Sequence, residues 1–245
     1  MITSKNNEII KNAVKLKDKK FREIENKFLI EGEKILNECL SEKYKIDCIF
    51  YLNNLSGLYD DIEKIQVNDT IMKLLTTTSS PSPCVAIVNK KVDLKDEVGN
   101  FLVLDRIQDP SNVGAIIRSA LGADFTKIYL IDCADIFDTK TIRSSMGAIF
   151  HTKCIKCTEN EILNLDYPLL ALSMEGKDIF ETDFKDMPCG LIIGNEGKGI
   201  SDNLRKKAVN ILSIPMNNKL ESLNAGVSAS IVMYTIKYNL KKGEK

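Results

Sequence analysis

Beyond residue 100, short apolar runs alternate with segments of helical periodicity, and this alternation is the strongest constraint on the fold. Residues 101–104 and 191–193 are apolar at every position, which predicts strands that are covered on both faces. The other predicted strands here are 127–131, 169–172 and 210–214, and the predicted helices are 113–121, 139–146, 202–208 and 223–238. The pattern predicts an α/β domain with a parallel sheet, in which ligands bind at the carboxyl ends of the strands.

The first half of the chain contains shorter predicted helices and strands. The predicted helices are 7–16, 33–40 and 69–75, and the predicted strands are 27–30, 46–52 and 85–88. Asp69 is a candidate N-cap for the third helix. Residues 89–100 are polar and charged, which is typical of a linker. Because 245 residues suffice for two modest domains, we predict a small α/β domain over 1–90, a linker over 91–100 and a second domain over 101–245.

Charge and composition exclude several classes of protein. The 34 basic residues are balanced by 34 acidic ones. This balance argues against a protein that binds nucleic acid through a large net positive charge. A local basic cluster nevertheless lies near the N-terminus, formed by Lys15, Lys17, Lys19, Lys20 and Arg22. It is either a binding face or a solvated helix surface.

The chain carries no sign of a membrane or secretory role. No apolar run reaches the roughly 18 residues that a bilayer span requires, and the N-terminal segment lacks the apolar core of a signal peptide. We therefore expect a cytoplasmic protein. Its seven cysteines are then expected to be reduced thiols, most of them buried.

Three loops after predicted strands hold the residues that can perform chemistry. The first loop, 105–112, places Asn112 at the expected start of a helix, and Arg118 follows nearly two turns later. Arg118 can project beside that helix end and bind an anion. The alternative is purely structural, with Asn112 capping the helix and Arg118 paired with Asp105 or Asp109.

The second loop, Gly194-Asn195-Glu196-Gly197-Lys198-Gly199, follows a predicted strand directly. Its glycines expose backbone N–H groups near a helix start, which suits a ligand. It is neither a Walker A loop nor a G-x-G-x-x-G dinucleotide loop. Since Glu196 would repel a phosphate, the loop favours a ligand that is uncharged or positive near its centre. An ordinary tight turn is the alternative.

The third loop, 214–224, leads into the last predicted helix, for which Ser222 is a candidate N-cap. The helix begins with small residues that allow close packing of another helix or a flat ligand. A predicted core stripe follows, formed by Leu223, Val227, Ile231, Tyr234 and Tyr238.

Together, the three loops resemble the signature motifs of the SpoU family, also called TrmH, within the SPOUT class of RNA methyltransferases. The resemblance covers about residues 101–238, and the stretch 143–151 is similar to the family's segment between its first two motifs. The first half is similar, more loosely, to a small RNA-binding domain of ribosomal-protein type. That similarity rests on residues 28–32 and the strand around Ala86.

The resemblance implies a parallel sheet with a deep C-terminal trefoil knot and an obligate homodimer with the active site at the subunit interface. It also implies methyl transfer from S-adenosylmethionine to a ribose 2′-oxygen of RNA, without a metal. The implied cofactor-binding residues are Gly194, Glu196, Gly197, Ile214, Met216 and Leu223. The implied catalytic residues are Asn112, Arg118, Glu196, Ser222 and Asn224. We assign Arg118 to phosphate binding rather than to a general base, because a guanidinium rarely gives up its proton.

The first domain is then expected to select the RNA, with the basic residues between 15 and 22 as phosphate contacts. The fused first domain favours 23S ribosomal RNA, and transfer RNA is the alternative substrate. The chain departs from the commonest pattern at Asn195, at Asn217-Asn218 and over 225–228, although all five catalytic residue types are present.

Two alternatives of other classes remain. One is a non-catalytic RNA-binding dimer of the same fold. The other is a zinc protein that uses His151, Cys154 and Cys157, which lacks a clear fourth ligand.

Overall fold

The computed structural model describes residues 1–57, 59–78, 80–91, 99–184 and 189–243. The helices are α1 (Glu8–Lys15), α2 (Lys19–Ile24), α3 (Glu33–Ser41), α4 (Asp69–Leu75), α5 (Pro110–Gly122), α6 (Thr139–Ser145), α7 (Glu159–Leu163), α8 (Asp202–Lys207) and α9 (Ala225–Gly243). The strands are β1 (Lys27–Glu31), β2 (Ile46–Tyr51), β3 (Glu63–Gln66), β4 (Cys84–Asn89), β5 (Phe101–Asp105), β6 (Lys127–Ile131), β7 (Lys153–Lys156), β8 (Leu169–Asp178), β9 (Gly190–Gly194) and β10 (Asn210–Ser213).

The chain divides into two compact units. Met1–Asp93 and Asp135–Phe150 form the first unit, and Leu94–Ala134 and His151–Lys245 form the second. The predicted linker, 91–100, lies mostly outside the described residues. The predicted boundary between domains does not account for Asp135–Phe150. This segment groups with the first unit, although it lies within the sequence assigned to the second domain.

The first unit is built on a four-stranded mixed sheet in the order β1-β4-β2-β3. Strand β4 pairs antiparallel with β1 and β2, and β3 pairs parallel with β2. The strands bury apolar side chains on both faces of the sheet: Leu29 and Phe50 lie in one core cluster, and Phe28 points to the opposite face. Helix α4 begins where the sequence predicts, but its N-cap is Asn68 rather than Asp69, because the Asn68 side chain accepts from the amide of Ile71.

Segment Asp135–Phe150 completes the core of the first unit. The ring of Phe28 lies 4.7 Å from that of Phe137 and 6.4 Å from that of Phe150. Arg22 and Asp135 form an ion pair at 2.8 Å, and both side chains are almost fully buried. Residues far apart in sequence are therefore joined in one core.

Two of the basic residues predicted to contact RNA have structural partners instead. Arg22 is 3% exposed and also donates to the carbonyls of Leu16 and Lys17, so its guanidinium cannot reach a phosphate. The ammonium group of Lys17 is half-buried and donates to the carbonyl of Thr76. Lys15, Lys19 and Lys20 are exposed and stay as predicted contacts.

The second unit contains a six-stranded sheet in the order β10-β8-β9-β5-β6-β7, and every pairing in it is parallel. The central strand β5 is buried at all five positions, and β9 is buried at its first four. The predicted parallel α/β sheet is confirmed. Because all strands point the same way, their carboxyl ends and the loops that follow them gather at one edge.

Helices α5 and α9 pack closely through small residues. A Cβ atom on Gly226 would approach the Cβ of Ala115 to 3.3 Å, and the hydroxyl of Ser230 donates to that of Ser119 at 2.7 Å. The small residues at the start of α9 therefore accommodate a helix. Asn112 lies inside α5 rather than at its N-cap, which is Asp109, followed by Pro110 in the first turn.

The predicted core stripe of α9 is wrong. Val227, Tyr234 and Tyr238 are 48%, 50% and 60% exposed. The side chains that face the sheet are instead Ala225, Ala229, Val232, Met233 and Ile236. Both sets recur at helical spacing, so the pattern alone could not decide which one faces the core.

Within the residues that the structure describes, no helix is long and apolar enough to cross a bilayer. All seven cysteines are free thiols, and four of them are buried.

Candidate active site

A cavity of about 420 Å³ opens beside β8 and at the carboxyl ends of β9 and β10. Its walls come from residues 171–175 within β8, the loop between β9 and α8, and the loop between β10 and α9. Both loops follow parallel strands, so the ends of β9 and β10 position them. The volume falls within the usual range for small-molecule sites, which is roughly 300–1,000 Å³.

All six residues predicted to bind the cofactor line this cavity: Gly194, Glu196, Gly197, Ile214, Met216 and Leu223. Residues 171–175 and the side chain of Arg205 also line the cavity, and the sequence pattern did not predict either. The first wall was not expected because β8 runs to Asp178, well beyond the predicted end at residue 172. Glu175 and Arg205 face each other on the wall, with 3.8 Å between their charged atoms.

Three of the five predicted catalytic residues form a chain of hydrogen bonds. The Nδ2 atom of Asn224 donates to Oδ1 of Asn112 at 2.9 Å. The Nδ2 atom of Asn112 donates in turn to Oε1 of Glu196 at 2.8 Å. Asn112 lies in the first turn of α5, Glu196 in the loop between β9 and α8, and Asn224 directly before α9. Glu196 lies on the cavity wall. Asn112 is only 8% exposed, so its orientation is fixed by these two partners.

Asn224 has a second role, as the N-cap of α9. Its Oδ1 atom accepts from the backbone amides of Gly226 and Val227 at 2.9 and 3.2 Å. Ser222, the predicted N-cap, lies before the helix and is exposed. Ser222 lines the cavity, so its predicted place at the site does not depend on capping.

Arg118 lies apart from the other catalytic candidates. It is exposed on α5, and helix geometry places it about 9 Å along the axis from Asn112 and on another face. The expected alternative pairing with Asp105 is not formed, since Asp105 is buried and pairs with Arg106 at 2.7 Å. The guanidinium of Arg118 is therefore presented to solvent.

The glycine-rich loop is closed on itself. Asn195 and Gly199 exchange two backbone hydrogen bonds, at 3.1 and 2.9 Å, and Oδ1 of Asn195 accepts from the amides of Gly197 and Lys198. Gly199 has φ +68°, a conformation that favours glycine. These N–H groups have partners within the loop, so the prediction that they are offered to a ligand is wrong for the loop in this conformation.

The zinc alternative finds no support. In the parts of the chain that the structure describes, no three His, Cys, Asp or Glu side chains are grouped so that they could hold a metal ion. Burial raises the pKa of Cys154 to about 12 and that of Cys157 to about 11.

Comparison with known proteins agrees with this geometry. Residues 99–234 match the family model described as the SpoU rRNA Methylase family, and residues 7–86 match that of an MRM3-like substrate binding domain. The chain belongs to the SpoU rRNA methylase family.

Individual relatives cover most of the chain. It is 30% identical to the 23S rRNA (guanosine(2553)-2′-O)-methyltransferase of Bacillus subtilis, over 96% of this chain and 98% of the relative. It is 32% identical to the 23S rRNA (uridine(2479)-2′-O)-methyltransferase of Streptomyces viridochromogenes, over 68% of this chain and 63% of the relative. A crystal structure of an AdoMet-bound rRNA methyltransferase from Sinorhizobium meliloti superposes with a TM-score of 0.86 at 25% identity, covering 98% of this chain and 97% of that one.

The cavity fits S-adenosylmethionine chemically. Glu196 supplies a negative charge on the wall, which suits a sulfonium cation. Ile193, Ile214 and Leu223 supply apolar surface, which suits an adenine ring. Lys198 and Arg205 are the lining cations available to a carboxylate.

Proposed function

We propose that the protein is a methyltransferase that uses S-adenosylmethionine to methylate a ribose 2′-hydroxyl in RNA, and that its substrate is 23S ribosomal RNA. The single observation that carries this proposal is the chain from Asn224 through Asn112 to Glu196 at the wall of the cavity. It places polar groups for a hydroxyl next to a cavity suited to a cationic methyl donor. Membership of the family and the names of the two 23S rRNA relatives support the reaction and the substrate.

The catalytic demand on the protein is mainly one of positioning. When bound, S-adenosylmethionine supplies an electrophilic methyl group on a sulfonium. Oε1 of Glu196 accepts from Asn112, and among the residues that the structure describes no hydrogen bond to Oε2 is found. Oε2 can accept a hydrogen bond from the ribose 2′-hydroxyl, hold that group in line for transfer and take up the proton that it must lose. Asn112 and Asn224 keep the Glu196 carboxylate in place, and Ser222 contributes a hydroxyl at the cavity wall.

Arg118 would bind the RNA backbone. It is exposed, and a guanidinium forms bidentate hydrogen bonds with phosphate. Anchoring the phosphate beside the reacting nucleotide would limit the motion of its ribose, which accelerates transfer through orientation. The role is therefore electrostatic and geometric, and no proton has to leave the guanidinium.

The first unit would select the RNA. Residues 7–86 match a substrate binding domain, and Lys15, Lys19 and Lys20 are exposed there. Lysines at such a surface bind phosphates without reading sequence. We assign 23S rRNA rather than tRNA because the B. subtilis relative covers both units, and we place the activity in the cytoplasm.

Two finer features of the family complete the proposal. The C-terminal segment would form a trefoil knot, and the sheet order β10-β8-β9-β5, which does not follow the chain, is compatible with such threading. The partner on α9 would be a second copy of the chain. Helix α9 exposes Val227, Tyr234 and Tyr238, and Phe180, which is 63% exposed, lies beside the two tyrosines. Grouped exposed apolar side chains of this kind are typical of protein–protein contacts.

Calorimetric titration of S-adenosylmethionine and S-adenosylhomocysteine into the purified protein tests the proposal. We expect binding of either ligand at about one site per chain, and loss of affinity when Leu223→Asp places a charge in the apolar part of the cavity. Failure of the wild-type protein to bind either ligand at millimolar concentration would contradict the enzyme assignment and favour the non-catalytic RNA-binding dimer.

A further inference from the structure

Asn195 holds together two loops of the site through three side-chain hydrogen bonds. Its Oδ1 atom accepts from the amides of Gly197 and Lys198, both at 3.0 Å. Its Nδ2 atom donates to the backbone carbonyl of Arg106 at 2.8 Å. The acceptor contacts lie within the loop between β9 and α8, whereas the donor contact reaches the loop between β5 and α5.

The carbonyl that Asn195 binds belongs to a residue with a fixed and strained backbone. Arg106 has φ +59°, which costs free energy for any residue other than glycine. It is held there by its own amide, which donates to the carbonyl of Ile131 at 2.8 Å, and by two hydrogen bonds from its guanidinium to Asp105 at 2.7 and 2.9 Å. Asn195 therefore binds the glycine-rich loop to the backbone of Arg106, which three other hydrogen bonds hold in place.

A second hydrogen bond to the glycine-rich loop comes from Asn112, in the first turn of α5, which donates to Glu196. Since Asn195 precedes Glu196 in the chain, adjacent residues of that loop are joined to Arg106 and to Asn112. A third hydrogen bond joins the amide of Ser201 to the buried carboxylate of Asp105 at 2.7 Å. The hydrogen bonds of Asn195 and Ser201 flank Glu196 in the chain and restrict how far it can move from Asn112.

We propose that Asn195 is a positioning residue for methyl transfer, with a separate task for each of its two side-chain atoms. This inference rests on the proposed function. Oδ1 closes the loop that lines the cavity, so it sets the affinity for the cofactor. Nδ2 fixes the loop against Arg106, so it sets the position of Glu196 relative to Asn112 and thereby the rate of transfer.

Two variants separate these tasks. Asn195→Asp keeps an oxygen for the amides of Gly197 and Lys198 but replaces the donor to Arg106 with a carboxylate oxygen, which repels that carbonyl. We expect its Kd for S-adenosylhomocysteine to stay within about twofold of the wild type, while kcat falls by at least roughly threefold, the lower end for one lost hydrogen bond. Asn195→Ala loses both functions, so both quantities should worsen by at least that factor.

Hydrogen exchange gives a readout that does not depend on the cofactor. The amides of Gly197 and Lys198 should be protected in the wild type and in Asn195→Asp, and should exchange faster in Asn195→Ala. Asn203→Ala is the matched control. It removes a 2.8 Å hydrogen bond from the side-chain amide of Asn203, in α8, to the carboxylate of Glu159, in α7. It should change neither Kd, kcat nor these exchange rates.

Equal Kd and kcat in Asn195→Ala and the wild type would overturn the positioning role. Equal loss of cofactor affinity in Asn195→Asp and Asn195→Ala would overturn the division between the two atoms. In both cases a wild-type protein that binds the cofactor would leave the proposed function standing. If the wild type binds no cofactor, the proposed function fails and this inference fails with it.

Discussion

The side-chain amide of Asn112 donates a 2.8 Å hydrogen bond to the carboxylate of Glu196, although 84 positions separate the two residues in the chain. The contact exists because β5 and β9 are neighbouring parallel strands. Residues that follow their carboxyl ends are therefore brought side by side. A second amide, on Asn224, completes the arrangement from a third loop.

The first prediction concerns this contact. Asn112→Asp replaces the donor with a second carboxylate beside Glu196, and the repulsion should separate the loops. We expect kcat to fall by about 100-fold, the scale of an error of about 1 Å in the position of a reacting group. The measurement is methyl transfer under saturating cofactor and RNA.

The control for this variant is Asn203→Asp, which makes the same change opposite Glu159 at the same 2.8 Å distance but outside the cavity. It should retain wild-type kcat. If both variants lose activity equally, the contact between Asn112 and Glu196 has no special role.

The second prediction concerns the buried ion pair of Arg22 and Asp135. Asp135→Ala leaves a buried guanidinium without its main partner, which should lower the free energy of unfolding by about 3–5 kcal/mol. Urea denaturation combined with hydrogen exchange should locate the loss in strands β1 and β4 of the first unit.

The matched control is Lys11→Ala, which breaks the exposed pair with Glu8 at 2.9 Å. Exposed pairs contribute little, so this variant should unfold at the wild-type urea concentration. If the Asp135→Ala loss instead appears in β6 and β7, the grouping of Asp135–Phe150 with the first unit is wrong.

The third prediction tests the apolar face of α9. Tyr234→Glu would bury an unpaired charge in a dimer, so the dissociation constant measured by sedimentation should rise by roughly 100-fold or more. Val209→Glu, at a site that is 62% exposed near β10, should leave it unchanged. A wild-type protein that sediments as a monomer at every concentration would refute the homodimer.

The fourth prediction is a dependence of stability on alkaline pH. Burial raises the pKa of Cys39 and Cys189 from 9.0 to about 12, and that of Cys84 to about 11. Thiols in the unfolded chain titrate near pH 9, so the folded state binds more protons than the unfolded state above that pH. The free energy of unfolding should therefore be constant with respect to these groups below pH 9 and fall as pH rises from about 9 to 12.

Urea midpoints measured between pH 7 and 11 check this prediction. The four buried thiols, Cys39, Cys48, Cys84 and Cys189, should also react slowly with iodoacetamide at pH 8 in the native protein, since the thiolate is the nucleophile. All seven should react rapidly in urea. Rapid alkylation of the four buried thiols in the native protein would contradict the assigned burial.

Much of the fold follows from local sequence pattern. The continuous apolar runs at β5 and β9 identified buried parallel strands, and this placed the functional loops at one sheet edge. The elements that were missed are short or polar: α2, β3, β7 and α7 have too few apolar positions to reveal a period.

Other features of the fold depend on tertiary contacts that the local sequence pattern does not specify. Asp135–Phe150 belongs to the first unit through the rings of Phe28, Phe137 and Phe150, and no local signal specifies these long-range partners. The orientation of α9 depends on the close approach of Gly226 to α5. Arg22 is buried because Asp135 neutralises it, whereas its neighbouring lysines are exposed.

The same distinction between local pattern and tertiary contact applies to the site. Motif resemblance predicted the identities of Asn112, Glu196 and Asn224, whereas their mutual hydrogen bonds depend on the order of the strands in the sheet. The internal closure of the glycine-rich loop by Asn195 was not expected, because a side chain that satisfies neighbouring amides leaves no signal in composition or spacing.

Transfer of a labelled methyl group to unmodified 23S rRNA, with unmodified tRNA alongside, tests the central claim most directly. Alkaline hydrolysis of RNA requires a free 2′-hydroxyl, so ribose methylation leaves a resistant dinucleotide. We predict that label from S-adenosylmethionine appears in an alkali-resistant dinucleotide from 23S rRNA, and that Asn112→Asp reduces it. Label recovered only in mononucleotides would mean base methylation, and the absence of label from both RNAs would contradict the proposed activity.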